Sequence, residues 1–262
     1  MDLAKLASNI LMLNYGLRGN FRDRKQPFNI HLDNIVDQPI PDEKHSLIIA
    51  AEGWDDTFTD ICDPVAGMLK KRSKTSTYLH DPDEIRHSFY HRIMDLAETE
   101  GTKIVFYAGP GSRWHPWMGD SAFIMPADKF TIPDSTIYDL IKDDEDPWIF
   151  ILHSCFSGLF AKNITRRPNT IAVATHSERS TGPPTYFTQM LMQSMTYNHD
   201  NLLKAFKHDA QMTYDMAFYT TALNLTFGVG DDILKKFHQL TGYFKSEKQL
   251  YANKLDPEKI VL

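Results

Sequence analysis

Cysteine, long hydrophobic runs and excess positive charge are all scarce in this chain. Two cysteines in 262 residues, Cys62 and Cys155, cannot build a disulfide framework or a cysteine-rich zinc site. Their scarcity suits a reducing compartment, and a cytoplasmic location is expected. No apolar run approaches the ~20 residues that span a bilayer, so no membrane contact is expected. The amphipathic start, with Leu3, Leu6, Ile10 and Leu13 at helical spacing, lacks the basic leader and small-residue cleavage site of a signal peptide. The 28 Lys and Arg stand against 34 Asp and Glu, a net charge of -6. That speaks against nucleic-acid binding, which needs a basic surface. No internal repeat and no low-complexity tract is visible.

What the chain does have is an alternation of short apolar runs and amphipathic segments. A helix over about 2–15 and an irregular, proline-marked arm occupy residues 1–44; the main domain then runs over 45–262. Strands are expected at 46–51, 75–79, 102–108, 148–152 and 170–174, because each is a short apolar or β-branched run bounded by polar residues. Helices are expected at 60–71, with Pro64 in the first turn, and at 83–99, where Ile85, Phe89, Ile93 and Leu96 share a face. Asp81 and Glu84 resemble a capping box for the second of these. Further helices are expected at 135–142, 184–195 and much of 201–243, broken at Gly228-Val-Gly230. Residues 113–134 read as irregular, and the polar tail 244–262 as loosely held apart from Ile260 to Leu262. Strands alternating with helices imply a mostly parallel sheet of about six strands, with helices on both faces.

The most informative stretch is Ile149-Phe-Ile-Leu-His-Ser-Cys-Phe-Ser-Gly158. An apolar strand ends in a polar triplet whose thiol precedes a helix start. Open α/β sheets place ligands at this edge, and the amides at a helix start favour a thiolate. A second strand, Thr102 to Ala108, ends in the tight loop Gly109-Pro110-Gly111-Ser112. If the two strands are neighbours, both loops face one crevice.

Taken in order, Val105-Phe-Tyr-Ala-Gly-Pro-Gly-Ser112, Ala122-Phe-Ile-Met-Pro-Ala-Asp128 and Ile149 to Gly158 resemble the caspase-like cysteine peptidases, metacaspases in particular. The resemblance covers roughly residues 45–196 and includes the 170–174 strand and Thr185 to Leu191, which is similar to the family's Phe-Thr-x-x-Leu helix. It implies a caspase-like three-layer α/β sandwich. It also implies Cys155 as the nucleophile and the Gly111 N–H as an oxyanion donor. At the position of that family's catalytic histidine stands Pro110, which can neither accept nor donate a proton. At the acidic position two before the cysteine, which in metacaspases helps recognise a basic side chain, stands His153.

Two functional readings follow. The leading one is a degenerate pseudo-peptidase that binds a peptide or protein partner, as a homodimer or paired with an active homologue. The alternative is a working cysteine endopeptidase or acyl-transfer enzyme in which His153 or His115 replaces the lost base. His153 reads as a strand-end polar residue that can also reach the thiol, and His176 as a pocket residue. Glu52, Asp55 and Asp56 after the first strand are candidate substrate-binding residues, or else a solvated acidic loop. Asp120, Asp128 and Asp134 invite a calcium reading through the resemblance, but their spacing is not an EF-hand loop. They read as turn and capping residues, and no metal or cofactor is expected. Lys70-Lys71-Arg72 and Arg166-Arg167-Pro168 read as solvated basic faces. Trp114, Trp117 and Phe123 read as packing residues.

Overall fold

The computed structural model describes residues 28–51, 57–114, 120–178, 187–213 and 247–262. Ten strands and six helices lie in these residues. In chain order they run β1 (Phe28–Asp33), β2 (Lys44–Ala50), α1 (Thr57–Arg72), β3 (Thr75–Leu79), α2 (Pro82–Ala97), β4 (Thr102–Ala108), β5 (Gly111–Arg113), β6 (Ala122–Ala127), β7 (Phe130–Pro133), α3 (Asp134–Ile141), β8 (Trp148–His153), α4 (Ser157–Ile164), β9 (Thr170–Ala174), α5 (Phe187–Tyr197), α6 (202–213) and β10 (Lys248–Asn253). The expected helix at 2–15 and the interruption at 228–230 lie outside the described residues.

Seven strands form the main sheet in the order β1-β10-β9-β8-β4-β2-β3. The run from β9 to β3 is parallel, and β10 joins β9 antiparallel. Side chains of a strand alternate between faces, and the two cores follow that period. Ile104, Phe106 and Ala108 of β4, with Ile149 and Ile151 of β8, face α1, α5 and α6. Val105 and Tyr107, with Trp148, Phe150 and Leu152, face α2, α3 and α4. In α2 the four expected residues, Ile85, Phe89, Ile93 and Leu96, are the buried ones, and the Asp81 carboxylate accepts from the Glu84 N–H at 2.8 Å as an N-cap.

Several expectations are corrected. Phe28–Asp33, read as part of the irregular arm, is an edge strand paired parallel with β10. The tail is not loose: β10 lies inside the sheet, and Leu202 N–H and Leu203 N–H bond to the carbonyls of Ile260 and Pro257. The described part of 113–134, read as irregular, joins Gly111 and Ser112 in a second, antiparallel sheet in the order β5-β6-β7 and opens α3. Pro64 sits inside α1, not in its first turn. It cannot supply the N–H that would reach the Asp60 carbonyl, and the Gln189 side-chain amide of α5 donates to that carbonyl instead, at 2.9 Å. Arg167 is not solvated; it is 1% exposed and donates to the carbonyls of Ile141, Asp144, Asp146, Pro168 and Asn169. Beside it the buried Lys103 ammonium pairs with Asp144 at 2.9 Å and Asp146 at 2.7 Å. This polar knot closes the amino end of β4 and β8. The opposite end is left for the site.

Candidate active site

β4 and β8 are neighbours, in register Ala108↔His153. Their carboxyl ends therefore bring the Gly109–Ser112 loop and the His153–Gly158 turn together. The contact is close. A side-chain carbon at Gly111 would lie 2.3 Å from the Cys155 carbonyl oxygen and 3.0 Å from Ser154 Oγ, so glycine is required there by space alone. One at Gly109 would lie 2.4 Å from the Tyr107 hydroxyl. The Gly109 N–H donates to the His153 carbonyl at 3.0 Å.

Cys155 is half-buried and sits on a sharp strand-to-helix turn. Phe156 directly after it has φ 55° and ψ 17°, a left-handed conformation that costs a bulky residue about 1 kcal/mol. The turn is held from the loop after β9. The Ser154 carbonyl accepts from the Ser157 N–H at 3.3 Å and from His176 Nδ1 at 3.0 Å, and the buried Ser157 hydroxyl accepts from the His176 N–H at 3.2 Å. Gly158 allows this approach: a side-chain carbon there would lie 2.7 Å from backbone atoms of His176, Ser177 and Glu178. On the rim the Arg113 guanidinium lies over the Phe156 ring at 5.3 Å, and Trp114 packs on Phe123.

The histidines are inward and neutral. His153 is 2% exposed and its Nδ1 pairs with Thr188 Oγ1 at the start of α5, at 2.9 Å. Burial, and then the nearby Lys248 ammonium, pull its pKa down to about 3. For His176, burial first and then Lys248 and His153 pull the pKa down to about 3 as well. Because a carbonyl faces His176 Nδ1, that nitrogen carries the proton. Nε2 of both rings, and Ser154 Oγ, are buried without a hydrogen-bond partner among the described residues. The ring of neither histidine is thus bonded to Cys155. Lys248, at the start of β10, is also buried; its ammonium donates to the Thr175 carbonyl at 3.1 Å, and desolvation lowers its pKa to about 7.

Of the residues singled out by sequence, the structure brings together Gly111, Pro110, His153, Cys155 and His176. Glu52, Asp55, Asp56, His115 and Trp117 lie outside the described residues. Asp134 is buried and accepts from Ser121 Oγ, the Ala122 N–H, the Ser135 N–H and Asn163 Nδ2; it fixes β6, α3 and α4 to one another. Among the described residues no cluster of three or more His, Cys, Asp or Glu side chains could hold a metal ion, and no helix is long and apolar enough to cross a membrane. Lys248, Thr188, Ser154 and Tyr107 were missed. Only Tyr107 had a usable signal: the strand period puts it on the face of Val105, three residues before Pro110.

No protein-family model matches the chain, and no curated protein matches it in sequence. Solved structures do match in shape. Caspase-1 from Spodoptera frugiperda aligns with a TM-score of 0.51 over 85% of this chain and 92% of its own, at 10% identity. The chain has a caspase-like fold. The Drosophila initiator caspase Dronc aligns at 0.45 over 73% of this chain and 75% of its own, at 9% identity. A structure of pro-Sf-caspase-1 aligns at 0.45 over 73% and 85%, at 10% identity.

Proposed function

We propose that this caspase-like chain is a pseudo-peptidase that binds a peptide or protein partner in the crevice around Cys155, inside a reducing compartment. The observation that carries the reading is Pro110. It lies between two glycines that no larger residue can replace without a clash, beside the thiol-bearing turn, and its ring offers no group that can take a proton. Its carbonyl is committed as well, accepting from the Tyr107 hydroxyl and the Met125 N–H. The two buried imidazoles nearby are bonded to Thr188 and Ser154 rather than to the thiol. A base pulled down to about 3, as His153 is, is a weak proton acceptor near neutral pH. Losing the base costs thiol and serine hydrolases several orders of magnitude in rate. The binding half of the site is better supported: Cys155 and the Gly111 backbone are pressed together at the shared edge of β4 and β8. On this reading the chain works as a homodimer or paired with an active homologue, and in the second case the homologue supplies the activity.

The test is hydrolysis of fluorogenic peptides with acidic or basic residues before the scissile bond, by the wild type, Pro110→His and Cys155→Ala. The wild type is expected to be silent. Pro110→His is expected to gain turnover that vanishes in the double variant with Cys155→Ala. Wild-type turnover abolished by Cys155→Ala would sink the proposal and favour a rebuilt enzyme.

A further inference from the structure

We propose that Tyr107 is a positioning residue: its hydroxyl sets the direction of the Gly111 N–H, so that this amide is aimed at an oxygen of whatever carbonyl group meets Cys155. The inference rests on reading the Cys155 crevice as a peptidase-shaped site.

The Gly111 N–H and the Pro110 carbonyl belong to one peptide unit, which is trans. In such a unit the two groups point in opposite directions, so fixing the carbonyl fixes the amide. Two donors fix it. The Tyr107 hydroxyl donates at 2.7 Å, and the Met125 N–H donates at 3.0 Å while also reaching the Tyr107 oxygen at 3.2 Å.

The β5–β6 register agrees. Gly111 is opposite Ile124 and Arg113 opposite Ala122; the bonds Met125 N–H to Pro110 carbonyl and Trp114 N–H to Ser121 carbonyl flank these pairs. Both are therefore non-hydrogen-bonded pairs, and the Gly111 N–H points away from β6. If the peptide unit were flipped, an oxygen would face the electrophile in place of a proton.

Among the described residues the Tyr107 hydroxyl has no hydrogen-bond partner besides the Pro110 carbonyl and the Met125 N–H. The side chain is fully buried, and burial holds the phenol well above its usual pKa, so it remains a donor at neutral pH. Gly109 wraps directly over the hydroxyl, which leaves no room for a side chain there.

A thiol adds reversibly to an aldehyde. The sulfur–carbon bond forms, the carbon–oxygen π pair moves to oxygen, and that oxygen takes the thiol proton. The adduct oxygen needs a donor such as Gly111. Alkylation by iodoacetamide displaces iodide and builds no such oxygen. The two reagents therefore separate aiming from general packing.

The experiment compares wild type and Tyr107→Phe for adduct affinity with two peptide aldehydes, one ending in an aspartate aldehyde and one in an arginine aldehyde, and for the iodoacetamide rate at Cys155. Expected is a loss of about tenfold in aldehyde affinity with the alkylation rate unchanged. Equal loss in both assays, or loss in neither, overturns the role of Tyr107. If the wild type forms no Cys155-dependent adduct with either aldehyde, the peptidase-shaped site itself fails, and the inference with it. Should Tyr107→Phe not fold, 3-fluorotyrosine at 107 has a more acidic hydroxyl and is a stronger donor. It is expected to tighten the adduct, and unchanged affinity overturns the inference.

Discussion

Acid should loosen this protein through two histidines at the site. His153 and His176 are neutral in the folded chain, with pKa values pulled down to about 3 by burial and then by Lys248. In the unfolded chain each returns to about 6.5. Between those values the unfolded state binds more protons, so stability is present at high pH and is lost as pH falls below about 6.5. At pH 5 the unfolded histidine lies 1.5 units above the medium. At 1.36 kcal/mol per unit this is about 2 kcal/mol for each ring, or about 4 kcal/mol for both. Both rings are almost wholly buried, so solvent does not screen the effect away. A domain of this size holds roughly 10 kcal/mol, and the loss is a large share of it.

Lys248 does not confuse the reading. Its pKa is about 7 when folded and near 10.4 when unfolded. Its contribution falls between about pH 10 and 7, and the part that lies between pH 8 and 7 is common to the wild type and its histidine variants and drops out of the difference between them. The assay is urea unfolding at pH 8, 7, 6 and 5 for the wild type, His153→Gln and His176→Gln. A packing change shifts the stability of a variant equally at every pH, so the slope with pH is the readout. Carboxylate titrations are common to all three chains and cancel in the difference. Each variant should lose about 2 kcal/mol less than the wild type between pH 8 and pH 5. If the variants lose as much as the wild type, the histidines are not held neutral and the description of the site is wrong.

Other consequences are smaller in scope. Gly111→Ala must push the Cys155 carbonyl away from a 2.3 Å approach; it should cost about 2 kcal/mol in unfolding free energy and abolish aldehyde adducts. Asp134→Ala strands buried donors on Ala122 and Asn163, and should cost about 3 kcal/mol, read as a melting temperature lower by roughly 10 °C. Gln189→Ala should cost roughly 1 kcal/mol because it strips the Asp60 carbonyl of its donor. The cost should shrink in a Pro64→Ala background, where a backbone N–H returns, and a double-mutant cycle by urea unfolding measures the coupling.

The central strands were legible because β2, β4, β8 and β9 are buried on both faces and so read as continuous apolar runs. β1 and β10 were hidden for opposite reasons. Phe28-Asn-Ile-His-Leu-Asp33 alternates as an edge strand should, but it is short and sits among prolines. Lys248 and Gln249 are polar yet only 4% and 3% exposed, and their burial depends on strands distant in sequence. The β5–β6–β7 sheet was hidden by a three-residue strand and by Pro126 and Pro133 within the others. Arg167 misled for the same reason as Lys248: a charged residue in a turn reads as solvated unless the five carbonyls around it are known. At the site, sequence located the thiol and the glycine loop, since both depend on residues adjacent in the chain. It could not orient His153, because Thr188, the partner that turns the ring toward α5, lies 35 residues away.

That orientation bears on how the site divides. Attack on a carbonyl needs two things from this edge of the sheet: donors for the developing oxygen, and an acceptor for the thiol proton. In a peptidase-shaped site the donors would be backbone groups, and the backbone here is held by contacts that leave no space for a side chain at 109 and 111. The acceptor would have to be a side chain, and among the described residues the two nearby imidazoles are anchored through Nδ1, His153 to Thr188 and His176 to the Ser154 carbonyl that shapes the thiol turn, with neither Nε2 bonded to the thiol. Replacing His176 to free an acceptor would undo the turn that presents Cys155. If the chain is a pseudo-peptidase, activity is easier to gain at position 110, where a new side chain enters without breaking the bonds of the Pro110 carbonyl, because those bonds are made by the backbone oxygen and survive any substitution that keeps the loop conformation.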